Sequence, residues 1–216
     1  SRLAYDRVYL SSFFSGASAD DLALTTSAQY AEWGVNVVTN ALVTDIDRDN
    51  NKVTTSEGQG FSYDKLVLAT GSYPFVPPIP GNDQEHCLVY RTIDDLLAIE
   101  ASAAVSKVGV VVGGGLLGLE AANALKQAGL DTHVVEFAPQ LMAVQLDQAG
   151  GNVLKDKIEA LGVTVHTQKA TQTIEAGDTC RYKMVFADGT ALETDMILFS
   201  AGILSLIHIS EPTRRS

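Results

Sequence analysis

Strands that alternate with helices in the second half of this 216-residue chain predict an α/β fold with a parallel sheet. The apolar runs there are short, and a glycine-rich turn joins the first of these strands to the helix that follows it. Parallel neighbours need a long crossover, which a helix usually supplies. The elements expected, in chain order, are a strand at 107–112, a helix at 116–128, a strand at 132–136, a helix at 147–161 and strands at 163–167 and 195–200.

Cap and turn residues predict the other elements of this half. Thr92 is expected to cap a helix that runs to about Ala104, with acidic residues in its first turn. Asp188 and Gly189 form a strong hairpin signal between strands at 184–187 and 190–192. The helix that precedes the third strand is expected to turn one apolar stripe inward, formed by Leu154, Ile158 and Leu161.

The first half contains a short helix and several short strands before a proline-rich connector. Four of the six prolines lie within residues 74–80, and such a run favours an extended connector, which predicts a domain boundary. A helix is expected from Thr26 to Trp33, with Gly34 ending it. Apolar runs without alternation indicate strands covered on both faces. The strands expected are 35–39, 41–47, 52–56, 61–63 and 65–69.

Composition excludes several classes of protein. With 46% hydrophobic and 19% charged residues, the chain can bury a sizeable core and is not a disordered segment. A net charge of −11, without a basic stripe, argues against a nucleic-acid partner. The longest apolar run, 108–119, is too short to cross a membrane, for which about 20 residues are needed. Trp33 and the tyrosine and phenylalanine residues are expected in the core.

The cysteines and histidines predict neither a metal site nor a disulfide. Cys87 and Cys180 lie far apart in the chain and form no CxxC motif, and the four histidines are not spaced as ligands. Idle thiols and the absence of a charged-then-apolar leader favour a reducing compartment, so the localisation expected is cytoplasmic.

The strongest chemical signal is a glycine motif. Gly113, Gly115 and Gly118 fit G-x-G-x-x-G, in which the glycines allow a tight turn, the approach of a pyrophosphate and close packing of helix on sheet. Glu136 ends the next strand 18 residues after Gly118, near the spacing of about 20 expected for an acid that binds ribose hydroxyls. Such an acid repels a 2′-phosphate, so NAD(H) is preferred to NADP(H). The alternative is a glycine-rich turn that binds nothing.

Four segments together carry a resemblance to a known family. They are the run from Arg2 to Ser11, which overlaps AYDRVYLSS at 4–12, the run ATGSYP at 69–74, the run GGGLLGLE at 113–120, and the run from Glu136 to Met142. With YRTIDDL and LDQAGG, these segments resemble the flavoprotein part of the large subunit of NADH-dependent assimilatory nitrite reductase. The similarity extends from Arg2 to about Gly202.

The resemblance implies two dinucleotide-binding, Rossmann-like domains, with an NAD domain inserted into an FAD domain. Residues 1–78 would then be a partial FAD-binding domain, and residues 79–203 a nearly complete NAD-binding domain. The last residues, 204–216, include LSLIHISEPTR, which resembles a translated sequencing-library adapter. They are expected to be a non-native tail, and the chain to be an internal piece of a longer protein.

The resemblance also assigns candidate cofactor-binding residues. On the flavin side they are Arg7, Leu10, Ser11 and Arg91. Near the FAD dinucleotide they are Val43, Ala69, Thr70 and Gly71. The NAD turn comprises Gly113, Gly114, Gly115, Leu116, Leu117 and Gly118, with Glu136 at the ribose. Near the nicotinamide they are Glu120, Ala201 and Gly202. Hydride transfer needs no general acid, so no catalytic residue and no metal ligand is assigned.

The function implied is that of an FAD-dependent oxidoreductase module in nitrogen assimilation. It would accept hydride from NADH and pass electrons towards the reduction of nitrite to ammonium. Sirohaem and an iron–sulfur cluster belong to a downstream part of that family, so this fragment is not expected to be active alone. The resemblance also implies a small subunit of nitrite reductase as a partner.

Two alternatives remain open from the sequence. One is a fragment of an NADH-dependent ferredoxin- or rubredoxin-type reductase, which would use the same NADH and FAD sites. The other is a non-catalytic NAD-binding module. The absence of a CxxxxC pair argues against the disulfide reductases of the same fold.

Overall fold

The computed structural model of the protein describes residues 2–205, which divide into two compact units. The first comprises 2–6 and 18–71, and the second comprises 7–17 and 72–205. The first unit thus ends at Gly71, and segment 7–17 belongs with the second unit. Most of the expected tail, 206–216, lies outside the described residues.

The first unit is built on a small antiparallel sheet. Its strands pair in the order β1-β2-β3, and the helix α1 begins after Thr26. The Thr26 side chain accepts from the backbone N–H of Gln29, and the Gln29 side chain accepts from that of Thr26, so this helix start was correctly predicted. The bounds are α1 (Ser27–Glu32), β1 (Val43–Asp47), β2 (Lys52–Thr55) and β3 (Gly60–Ser62).

Two strands predicted in the first unit are not formed. Residues 35–39 and 65–69 make no β-ladder with any described residue. Their apolar side chains lie open to solvent instead, with Val67 85% exposed, and Trp33, expected in the core, is exposed as well. The apolar pattern encodes a preference for burial on both faces, but a strand also requires a neighbour to pair with.

The second unit is an α/β domain around a five-stranded parallel sheet, as predicted. The sheet order is β5-β12-β6-β7-β8, and every neighbouring pair is parallel. The helices are α2 (Ile93–Ala103), α3 (Leu116–Gln127) and α4 (Gln148–Ala160), with a short 3₁₀ helix at Leu10–Ser15. The strands are β4 (Ser72–Pro74), β5 (Cys87–Val89), β6 (Val108–Val112), β7 (Asp131–Val135), β8 (Val163–His166), β9 (Thr171–Ala176), β10 (Tyr182–Phe186), β11 (Ala191–Thr194), β12 (Met196–Phe199) and β13 (Ile203–Ser205).

A three-stranded antiparallel sheet, β9-β10-β11, covers one face of the parallel sheet. Its hairpin turns at Asp188 and Gly189, as predicted, whereas β9 was missed because its sequence, TQTIEA, contains no apolar run. Side chains from the two sheets form one buried cluster: Val110, Val135, Ile174, Tyr182, Met184, Phe186, Ile197 and Phe199. This core holds the carboxyl ends of β6, β7 and β12 in fixed positions.

The inward stripe expected on α4 is only partly formed. Leu154 and Ile158 are half-buried, and Leu161 is 63% exposed. Gly151 is the buried residue of this helix, and a Cβ there would lie 2.9 Å from the Gln140 side chain. The helix therefore makes its closest approach through a glycine rather than through a row of leucines.

Helix α2 begins with a capping box that can be tested. The Thr92 hydroxyl accepts from the Asp95 N–H at 3.2 Å, and the Asp95 carboxylate accepts from the Thr92 N–H at 2.7 Å. Replacing Thr92 with alanine is expected to lower the free energy of unfolding by about 1 kcal/mol. Urea denaturation measures this. The control is Glu100→Ala at an exposed position of the same helix, which should cost little because alanine is the better helix former. Equal midpoints for the two variants would contradict the cap.

Among residues 2–205, no helix is both long and apolar enough to cross a bilayer. Within the same range, no three histidine, cysteine, aspartate or glutamate side chains are grouped to hold a metal ion.

Candidate dinucleotide-binding site

The glycine motif lies at the carboxyl end of β6, where the chain turns directly into α3. The Gly113 N–H donates to the Val135 carbonyl of the neighbouring strand at 2.8 Å, so the turn begins in register with the sheet. Gly115 is the N-cap of α3, and no side chain caps the helix there. The amide groups of the first turn are therefore available to an anion, which the helix dipole also favours.

The three motif glycines differ in what surrounds them: Gly113 and Gly118 are closely packed, whereas Gly115 faces open space. This is the arrangement expected of a dinucleotide-binding turn. A Cβ on Gly118 would lie 1.9 Å from the Gly113 carbonyl oxygen, so the helix can approach the strand only because residue 118 has no side chain. A Cβ on Gly113 would lie 2.4 Å from the Ser200 carbonyl oxygen. A Cβ on Gly115 would meet no atom within 4 Å. Gly115 thus faces open space, where a pyrophosphate could approach the backbone.

Glu136 ends β7 beside this turn. One carboxylate oxygen accepts from the Gly114 N–H at 2.5 Å, and the other accepts from the Ala138 N–H at 2.7 Å. The structure therefore brings the predicted acid to the glycine turn and holds its side chain from two sides. A fixed carboxylate at this place can accept hydrogen bonds from the two ribose hydroxyls of an adenosine.

Ala201 and Gly202 follow the carboxyl end of β12, the strand next to β6. The Ser200 N–H donates to the Val112 carbonyl at 2.8 Å, which places this turn beside the glycine motif. Beyond it, β13 pairs with β4, so Leu204 and Ser205 of the expected tail continue a strand. Ser200 was not among the predicted residues, yet its buried hydroxyl has no hydrogen-bond partner among the described residues.

Glu120 opens onto a polar cavity of about 230 Å³ between the 3₁₀ helix and α3. Two of the residues that line this cavity, Glu120 and Ser11, also act on the Tyr90 phenol. Burial and the Glu120 carboxylate raise the pKa of this phenol to about 12, whereas its hydrogen bond with Ser11 lowers the pKa. Asn123 and Gln127 were missed by the sequence analysis, although they continue the face of α3 that carries Glu120. The lining residues are Ser11, Ser12, Phe14, Ser15, Glu120, Asn123, Ala124 and Gln127.

The Arg91 guanidinium has a hydrogen-bond partner for one nitrogen and lacks one for another, among the described residues. Its Nη2 donates to the Ser72 hydroxyl at 2.6 Å, while its buried Nε has no hydrogen-bond partner among the described residues. A buried donor without a hydrogen-bond acceptor lowers the stability of the folded state. A bound cofactor that carries an anionic or carbonyl oxygen could supply that acceptor. In the same unit, Arg7 is exposed and Leu10 is buried at 6% exposure.

The other FAD candidates belong to the first unit. Val43 begins β1 and is 46% exposed. Ala69, Thr70 and Gly71 are exposed and lie at the end of the 65–69 segment or directly after it, with Gly71 at a φ of 70°. The structure therefore groups the NAD candidates at one sheet edge of the second unit, and these four residues belong to a separate unit.

Comparison with known proteins identifies the family. The family model described as pyridine nucleotide-disulphide oxidoreductase matches residues 1–207. The chain belongs to the pyridine nucleotide-disulphide oxidoreductase family.

Among its relatives, the chain is 54% identical over 203 residues to the nitrite reductase (NADH) large subunit of Escherichia coli strain K12. That match covers 94% of this chain and 24% of the relative. It is 55% identical over 200 residues to the nitrite reductase [NAD(P)H] large subunit of Klebsiella oxytoca, covering 93% and 21% of the two chains. The chain thus spans about a quarter of the length of these relatives, and the predicted resemblance is confirmed.

A solved structure supports the fold. The ferredoxin reductase for the CYP199A2 system from Rhodopseudomonas palustris matches with a TM-score of 0.88 at 26% identity. The match covers 97% of this chain and 52% of that one. The predicted fold class, α/β with Rossmann-like dinucleotide-binding architecture, is confirmed.

Proposed function

We propose that this chain binds NADH and contributes to an FAD site, and that its parent enzyme uses NADH to reduce nitrite to ammonium. The observation that carries the proposal is the 54% identity with an NADH nitrite reductase large subunit over 203 residues. The chain supplies the NADH-side chemistry at the β6–α3 turn. Residues 79–203 would act as the NAD-binding domain and residues 1–78 as part of the FAD-binding domain.

Each residue group has a distinct role in this proposal. The first-turn amides of α3 hold the pyrophosphate, and Glu136 accepts from the adenosine ribose. Glu120, with the turn at Ala201 and Gly202, borders the nicotinamide end. The flavin side is bordered by Arg7, Leu10, Ser11 and Arg91, with Val43, Ala69, Thr70 and Gly71 along the rest of FAD.

The residues of this chain position the reacting group rather than transfer protons. FAD, when bound, supplies a two-electron acceptor for the hydride of NADH. The catalytic gain then comes from orientation and from excluding water, since near-attack geometry alone can be worth about 7–11 kcal/mol.

Partners and compartment follow from the same proposal. Electrons would pass to sirohaem and an iron–sulfur cluster in parts of the parent enzyme that this chain does not include, and a small subunit would complete the enzyme. Cytoplasmic placement is consistent with Cys87 and Cys180, which are both free thiols.

Ligand binding by the full chain tests the NADH part of the proposal. Thermal unfolding should shift upward with NADH, because a ligand that binds only the native state stabilises it by mass action. NADPH should produce a smaller shift, since its 2′-phosphate meets the Glu136 carboxylate. A chain that unfolds at the same temperature with and without NADH would contradict the proposal.

The nitrite part is tested on the enzyme encoded by the complete gene. With NADH as donor, that enzyme should consume nitrite and form ammonium in equal amounts. The rival is a rubredoxin-type reductase, because the chain is 32% identical to a rubredoxin-NAD(+) reductase of Alcanivorax borkumensis over 213 residues. Reduction of rubredoxin without ammonium formation would favour that rival.

A further inference from the structure

Phe137 is exposed at a place where a buried ring would be expected. Its side chain is 78% exposed, although phenylalanine is among the residues most often buried and the sequence analysis expected it in the core. It directly follows Glu136 at the carboxyl end of β7. The ring is therefore open to a ligand at the position next in the chain to the candidate ribose-binding acid.

The backbone beneath this ring is held on both sides. The Glu136 N–H donates to the His166 carbonyl at 2.8 Å, and the Lys169 N–H donates to the Glu136 carbonyl at 3.0 Å. The Gln168 N–H donates to the Ala138 carbonyl at 3.0 Å. Both neighbours of Phe137 are therefore bound to the segment that follows β8, so the ring projects from a rigid support rather than from a loose loop.

The side chain of Glu136 strengthens the same support. Its carboxylate accepts from the Ala138 N–H on one side and from the Gly114 N–H on the other, so the turn at 136–138 is tied to the glycine motif. A ribose whose 2′-hydroxyl bonds to Glu136 carries its adenine on the adjacent carbon, C1′, so the base lies close to this acid. Phe137 is the aromatic ring next to this acid along the chain.

We infer that Phe137 is the platform on which the adenine of NADH stacks. This inference rests on the proposed function, because it needs the adenosine ribose at Glu136. Aromatic rings bind bases through their faces with little dependence on the base, and alanine substitution at such a ring weakens binding about fivefold to 150-fold. A preformed platform adds affinity for the adenosine half without contacting the nicotinamide.

Binding of two dinucleotide fragments separates this role from a structural one. NADH and reduced nicotinamide mononucleotide, which lacks the adenosine half, are titrated into the full chain and its variants. Phe137→Ala should raise the Kd for NADH at least about fivefold and leave the Kd for the mononucleotide unchanged. Phe137→Tyr, which keeps a ring, should bind NADH like the unaltered chain. The control is Val105→Ala, which removes a 64% exposed apolar side chain beyond α2, before β6 begins.

The outcomes test the adenine platform separately from the proposed binding of NADH. Unchanged NADH binding in Phe137→Ala, or an equal loss for both ligands, would overturn the adenine platform while leaving NADH binding in place. If the unaltered chain bound no NADH, the proposed function would fail and the platform with it.

Discussion

Replacing Gly118 with alanine is expected to abolish NADH binding and to destabilise the second unit by more than about 3 kcal/mol. A Cβ at this position would lie 1.9 Å from the Gly113 carbonyl oxygen and 2.9 Å from its carbonyl carbon. Both are backbone atoms, so no change of rotamer relieves the collision. Helix α3 would have to move away from β6, and the turn between them would lose its shape. Urea denaturation and NADH titration measure the two effects.

The matched control is Gly115→Ala in the same motif. A Cβ at Gly115 would meet no protein atom within 4 Å, and the residue has a φ of −82°, which alanine adopts without strain. This variant should fold with nearly unchanged stability yet bind NADH more weakly, because its methyl group occupies the approach of the pyrophosphate. Unchanged stability of Gly118→Ala would refute the close packing of α3 on β6. Unchanged NADH binding by Gly115→Ala would refute the approach of the pyrophosphate at residue 115.

Changing Glu136 to glutamine should weaken NADH binding by about 10- to 150-fold, the loss of a hydrogen bond to a charged group. The carboxylate accepts from both Gly114 and Ala138, whereas an amide has only one accepting oxygen for those two donors. The preference for NADH over NADPH should narrow at the same time, because the charge that repels the 2′-phosphate is gone. Equilibrium binding of both nucleotides measures the change.

Glu159→Gln is the control for Glu136, since it removes the same charge from an exposed position. Its carboxylate lies 3.8 Å from Lys155 on α4, an exposed i,i+4 pair that contributes little. Neither nucleotide should bind differently to this variant. If Glu136→Gln retained the full preference for NADH, nucleotide selectivity would have to come from another group.

Local chemistry explains which predictions succeeded. Thr92 was identified as a cap, and the helix start at Thr26 was identified, because a cap bonds only to residues within the same helical turn. Asp188 and Gly189 were identified as a hairpin turn because turn geometry depends on the residues of the turn itself. The glycine motif predicted a strand-to-helix turn on the same grounds. In each case the interacting atoms are a few residues apart.

Predictions that rested on apolar patterns were only partly correct. The apolar runs at 35–39 and 65–69 predicted strands that the described chain does not form, because pairing depends on a neighbour that local sequence cannot specify. The stripe on α4 predicted a buried Leu161, which is 63% exposed, because burial depends on what lies opposite a helix face. Phe137 was expected in the core for a similar reason.

By itself, the sequence determined the α/β class, the dinucleotide turn and the acid that follows the second strand of the motif. The tertiary structure alone decided that Glu136 bonds to Gly114, that Arg91 donates to Ser72, and that Ser11 and Glu120 line one cavity. The physical reason is the distance along the chain between the residues that interact. Caps and glycine turns are governed by steric and hydrogen-bonding rules that act within a few residues, whereas these contacts join segments that meet only after the sheet has set the strand order.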